Sequence, residues 1–303
     1  MDPLAVAIRL GLYLDLMLLF GGAAFRLHAL LRESAEQLRG SGGTGMFITA
    51  LLGLALSLLG LVALAASMSG APLTDVEGDA VTMLLRETSV GTAGIVRLQA
   101  LIVAAFFSLF WRRWPRNASL GVLLGAGTAL ATLAWSGHGA MDEGLPGWLH
   151  LGADIVHLLA AGIWVGALAA LLALALRGGA ALAHLRRLHD ALERFSTVGI
   201  AIVLLLVLSG FANILFLTGA ATLAAILTSA WSWLLFAKLV LFAAMLLLAA
   251  INRFRLTPQL AGSPDAAALR HARLSLSLES AAALLILLLV AWLGMLEPPI
   301  STV

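Results

Sequence analysis

Eight runs of predominantly apolar residues, each long enough to cross about 30 Å of hydrocarbon as a helix, leave this chain few ways to fold. They cover approximately 4–29, 45–69, 90–111, 118–137, 148–176, 196–218, 231–251 and 273–296. In lipid every backbone polar group must find its partner inside the protein, which a continuous helix does within its own segment. The expectation is an all-α polytopic membrane protein, an eight-transmembrane-helix bundle embedded in the lipid bilayer. Composition agrees, with 61% hydrophobic and 11% charged residues and a mean hydropathy of +1.03, against about 25% charged in soluble domains. No connection is long enough for a soluble domain, so residues 1–303 read as a single membrane domain. The longest connection, about 70–89, is expected to carry a short interfacial helix around "AVTMLLRET". The first run lacks a basic leader region and a convincing cleavage site, and is expected to be a retained span.

The connections sort by charge. Arg26, Arg32 and Arg39, then Arg112, Arg113 and Arg116, then Arg177, Arg186, Arg187 and Arg194, then Arg253, Arg255, Arg270 and Arg273 fall on one side. The opposite connections hold only Arg86, against Asp75, Glu77, Asp79, Glu87, Asp142 and Glu143. The positive-inside rule puts the Arg-rich connections in the cytoplasm and both termini in the periplasm. Laying the third span on the seventh at an offset of 141 puts Arg97 on Lys238 and Arg112 on Arg253, the trace a four-plus-four repeat would leave.

Six charges remain inside spans: Arg9, Asp15, Arg97, Asp154, Lys238 and Glu279. Each costs at least ~2.5–3.5 kcal/mol at the bilayer centre, so they are expected to face the bundle interior and pair. At about 1.5 Å per residue, Arg97, Lys238, Asp154 and His157 share a layer roughly 10 Å below the outer surface. Lys238 and Arg97 are therefore both candidate partners of Asp154.

"GWLHLGADIVHLLAAGIWVGAL" places His150, Asp154 and His157 at i, i+4 and i+7, one stripe of a helix that continues to Ala161 and Trp164. The preceding "WSGHGAMDEG" brings His138 and Met141 to the outer mouth. Imidazole and carboxylate suit Cu(II) and Zn(II), and thioether favours Cu(I), so the arrangement reads as a metal funnel. The blander reading keeps Asp154 as a counter-ion and His157 as a structural hydrogen-bonding group. His28, His184, His189 and His271 sit in the Arg-rich regions, where a solvated or lipid-facing role is expected. With no cysteine there is no disulfide or thiolate chemistry. No P-loop and no "DKTGT" motif is present, and the chain reads as a non-enzyme. Its basic residues are topology signals, not a nucleic-acid footprint.

With these residues in place, the chain resembles the CopD/PcoD family of bacterial copper-resistance inner-membrane proteins. The likeness rests on "SGHG", "LHLGADIVHLLAAGIWVGAL", "RFSTVGIAIVLLLVLSGFANI", "LLFAKLVLFAAMLLLAAINRFRLTPQL" and "SLSLESAAALLILLLVAWLGMLEP", in the family's order. The resemblance implies eight spans, a bacterial inner-membrane location, a role in copper homeostasis and a periplasmic CopC-type copper-binding partner. Carried onto this sequence, it implies copper residues at His138, His150 and His157, with Trp164 in the H-x6-W-x-G motif and Asn213 in the sixth-span block around them. The leading expectation is movement of a copper ion from periplasm to cytoplasm past His138, Met141, His150, Asp154 and His157. A periplasm-facing copper sensor or assembly factor without transport, or a b-type haem redox protein, are the other readings.

Overall fold

A computed structural model describes residues 3–29, 42–137, 144–177, 181–219, 229–262 and 265–297. The candidate ligands His138 and Met141 lie outside the described residues. Ten α-helices follow in order: α1 Pro3–Ala29, α2 Gly42–Ser69, α3 Gly78–Glu87, α4 Ser89–Leu109, α5 Pro115–Ala131, α6 Gly144–Arg177, α7 Leu182–Thr218, α8 Ala230–Ile251, α9 Thr257–Gly262 and α10 Ala266–Leu293. Eight helical stretches are long and apolar enough to cross a membrane, and no strand occurs among the described residues. The short α3 forms in the 70–89 connection, with Leu84 buried against Leu61 and Ala65 of α2.

Local chemistry marks the helix starts. Thr88, Ser229 and Asp265 each accept a backbone N–H from the first turn of α4, α8 and α10, satisfying donors that a helix N-terminus otherwise leaves orphaned. α7 starts at Leu182, well before the apolar run, because "HLRRLHDALERF" continues the helix on an amphipathic face. The chain after α8 is also more regular than an Arg-rich loop: Asn252–Leu256 forms a π-helical turn that runs into α9. Pro258 explains it, because its ring has no N–H and would clash with the carbonyl one α-turn back; widening the turn relieves both.

α1, α2, α4 and α5 pack in a closed ring, each against the next and α5 back against α1. In the second half α6 packs on α7 and on α10, and α10 on α8, but α7 and α8 hardly meet. The halves join along α1 and α6, where Gly21 faces Gly162 and Gly166. A Cβ on Gly21 would lie 2.0 Å from the Gly162 carbonyl oxygen, and one on Gly166 would lie 2.4 Å from the Gly21 backbone. Small residues let membrane helices approach this closely, since dispersion rather than the hydrophobic effect holds them together in lipid.

The two ends of the bundle are distinct. At one, the Arg9 Nη2 donates to the Ser136 carbonyl at 3.3 Å and its guanidinium packs on Gly294, bringing the start of α1, the end of α5 and the end of α10 together. At the other, Arg26 sits over the Trp111 ring at 5.0 Å and Arg273 donates to the Ala175 carbonyl at 2.9 Å. The first is called the termini end below and the second the Arg-rich end.

Candidate functional site

The His150 stripe faces a cavity of 480 Å³ enclosed by α1, α6, α7, α8 and α10. It exists because α7 and α8 stand apart. His150, Asp154, His157, Ala161 and Trp164 all line it, so the i, i+4, i+7 spacing resolves into one wall running inward from Gly137 and Gly294 at the termini end. Lys238 of α8 and Arg9 of α1 line the other walls.

Each ligand candidate is held by neighbours. The His150 ring is 2% exposed and stacks on Phe216, with centroids 4.9 Å apart and planes 14° from parallel. Asn213 Nδ2 donates to Asp154 Oδ1 at 3.3 Å. His157 Nδ1 lies 3.0 Å from Ser209 Oγ, and that hydroxyl already gives its only proton to the carbonyls of Leu205 and Leu206. This arrangement favours the Nδ1–H tautomer, which leaves the Nε2 lone pair for a ligand. Outer partners of this kind set the tautomer and aim of metal-binding imidazoles.

Asp154 interacts electrostatically with His150, Lys238 and Arg9. Two expectations are corrected here. Arg97 does not reach this cavity: it is 4% exposed within the closed ring of the first half, its Nε without a hydrogen-bond partner. Nor do the intramembrane charges pair directly: among the described residues, no two of the six come within 4.0 Å as an ion pair. Asp15 is also sealed, 4% exposed and so close to Gly53 that a Cβ there would stand 2.5 Å from Oδ2; neither carboxyl oxygen finds a partner. Glu279 lies elsewhere again, 2% exposed and hydrogen-bonded by Asn252 Nδ2.

The three stripe ligands do not close into a cage. Among the described residues, the group whose ligand atoms all lie within 4.8 Å of one another is His189, Asp190 and Glu193; of these the sequence pointed only to His189, with a solvated or lipid-facing role expected. On one helix, i to i+4 and i+4 to i+7 are neighbours while i and i+7 are two turns apart. Asp154 therefore stands between His150 above and His157 below on one wall.

Two thioethers missed in the sequence reading also line the cavity. Met17 lies on the stripe of Arg9 and Tyr13, and Met245 lies seven residues beyond Lys238. Helical spacing from each intramembrane cation would have found them. Trp164 ends the cavity, 4% exposed and edge-on to Phe195 at 5.9 Å, its indole N–H without a partner among the described residues.

The fold and the cavity define a polytopic membrane protein that brings imidazole, carboxylate and thioether groups to one intramembrane space. The chain belongs to the copper resistance protein D family: residues 1–148 match the family model "Copper resistance protein D-like, N-terminal domain" and residues 189–293 match "Copper resistance protein D". It is 43% identical to "Copper resistance protein D" of Pseudomonas syringae pv. tomato, over 98% of this chain and 97% of that protein. It is 26% identical to "Inner membrane protein YebZ" of Escherichia coli K12, over 97% of this chain and 98% of that one. No solved structure matches it significantly. Family membership makes this a copper-resistance membrane protein.

Proposed function

We propose that the protein is a copper permease, not an enzyme, that admits copper ions at the termini end and moves them toward the Arg-rich end. The observation that carries this is the single wall of His150, Asp154 and His157 lining a 480 Å³ cavity down to Trp164. The charge pattern of the connections assigns the termini end to the periplasm of a bacterial inner membrane and the Arg-rich end to the cytoplasm. Copper is the cargo. It binds first at an outer station, His150 and Asp154, then passes to an inner one, Asp154 and His157, with His138 and Met141 of the sequence before α6 as further ligands. Met17 and Met245 follow deeper in, and their thioethers suit cargo that enters as Cu(I). A periplasmic CopC-type protein is the donor this entrance suits.

Copper flux into proteoliposomes tests the reading. The expected result is flux in the wild type that is lost in His157→Ala; equal flux in the two proteins overturns it. Ser209→Ala leaves the ligands in place but frees the His157 tautomer, and isothermal titration should show copper affinity falling ~10–100-fold. The closure of the cavity at Trp164 favours one other reading, a copper-holding sensor or assembly factor, for which stoichiometric binding without wild-type flux is the signature. A b-type haem is disfavoured because both cavity histidines sit on α6, whereas haem sandwiching needs facing imidazoles on neighbouring helices. A Soret band in purified protein would restore it.

A further inference from the structure

A second cavity, of 360 Å³, lies beyond Trp164 toward the Arg-rich end, and Trp164 is the one residue that lines both. Its walls are apolar except at and beside the π-helical turn, where Asn252, Arg253 and Thr257 meet Ser196 of α7 and Glu279 of α10. Glu279 is 2% exposed, and Asn252 orients it through Nδ2. No Lys or Arg nitrogen comes within 4.0 Å of its carboxylate among the described residues. Arg253, the nearby cation, is engaged elsewhere: its Nη1 donates to the Ser196 hydroxyl at 2.8 Å and to the Ser196 carbonyl, tying α7 to the π turn.

An intramembrane carboxylate without a neutralising cation costs at least ~2.5–3.5 kcal/mol, and groups of this kind mark ion pathways. A π turn in an otherwise α-helical stretch is likewise frequent at functional sites, and here it carries Asn252, the side chain that holds Glu279. An oxygen donor without imidazole binds copper more weakly than the His stations above. A site near the exit of a path needs that, because an ion must leave as well as enter.

We propose that the Glu279 cavity is the release chamber of a divided cation path, with Glu279 as its anionic ligand and Trp164 as the wall between it and the outer cavity. This rests on the transport reading, but the division is testable without copper. The chain has no cysteine, so single thiols report cleanly. Gly199 lines the inner cavity and a Cβ on it meets nothing within 4 Å; Gly210 lines the outer one beside the His157 ring. In sealed vesicles a membrane-impermeant methanethiosulfonate reagent should label Gly199→Cys only from the Arg-rich face and Gly210→Cys only from the opposite face. Adding Trp164→Ala should make Gly199→Cys reactive from both. Labelling of Gly199→Cys from both faces with Trp164 intact, or from the termini face alone, overturns the division. In flux assays Glu279→Gln should lose ~10-fold or more, at least the lower cost of disturbing a metal site's surroundings, with partial recovery in Glu279→Asp. Absent wild-type flux refutes the transport reading and leaves the labelling result standing. Full flux in Glu279→Gln beside a transporting wild type refutes the chamber alone.

Discussion

The two halves of the bundle place their neighbours in the same order and differ at one contact. In the first half α2 packs on α4 and the ring of α1, α2, α4 and α5 closes; in the second the corresponding pair, α7 and α8, stands apart. Each half carries a carboxylate on its first span and a cation on its third: Asp15 with Arg97, and Asp154 with Lys238. In the closed ring both are 4% exposed and line neither of the two cavities described above. In the open one both line 480 Å³ of space together with two imidazoles. An intramembrane charge is thus a pointer to function only where packing leaves room beside it, and the absent α7–α8 contact provides that room.

Neutralising the two carboxylates should separate the halves most sharply. On the permease reading, Asp154→Asn removes a ligand common to both His stations, so copper flux should fall by about 100-fold, the upper end of what metal-site changes cost. Its thermal midpoint should hardly move. Asp15→Asn removes a sealed ionisable group with no partner, so its thermal midpoint should hold or rise and copper flux should stay near wild type. Loss of flux in Asp15→Asn with the fold intact would place the first half in the path and erase the distinction.

A methyl group probes the same difference in packing. The Gly53 Cβ would stand 2.5 Å from Asp15 Oδ2 and 3.2 Å from Leu101 Cδ2, deep in the closed ring. Overpacking of that kind costs ~1–3 kcal/mol, and Gly53→Ala should show it as a lower thermal midpoint. The Gly210 Cβ would meet the His157 ring at 3.2 Å but otherwise face open space. Gly210→Ala should therefore keep its midpoint and lose copper affinity as the ring shifts. Equal destabilisation of both would mean that the second half is as tightly packed as the first.

Much of this was legible in the sequence, for identifiable reasons. Hydrophobic length fixes the spans because lipid forbids unpaired backbone, and the 3.6-residue period fixes which side chains share a wall, so His150, Asp154, His157 and Trp164 fell on one stripe before any coordinates. What the period cannot supply is the partner helix. Arg97 and Lys238 lie at matched depth, yet only Lys238 faces Asp154, because α4 is locked inside the closed ring and α8 is not. Packing choices of this sort are set by glycines such as Gly21 and Gly166, whose effect is felt between helices and leaves no periodic mark. The π turn escaped notice for a related reason: "NRFRLTPQL" looks like a charged loop, and only the demand that Pro258 makes on the preceding turn turns it into helix.

The smallest expected effect concerns Lys238. Asp154 feels its ammonium across the cavity, and no nitrogen of Lys238 lies within 4.0 Å of that carboxylate. On the permease reading, Lys238 is a tethered cation that competes with copper for the same carboxylate. Two unit charges about 10 Å apart attract by ~1.7 kcal/mol at an effective dielectric of about 20, on the order of tenfold in affinity. Lys238→Met keeps the length and the apolar stem but removes the charge, so equilibrium titration should show copper bound on the order of tenfold more tightly. Flux should fall at the same time, because an ion held without its competitor leaves more slowly. The matching change in the closed half, Arg97→Met, should alter neither quantity. Unchanged affinity in Lys238→Met would show that the ammonium takes no part at the carboxylate. Asp154 would then owe its place on the wall to His150, His157 and Asn213 alone.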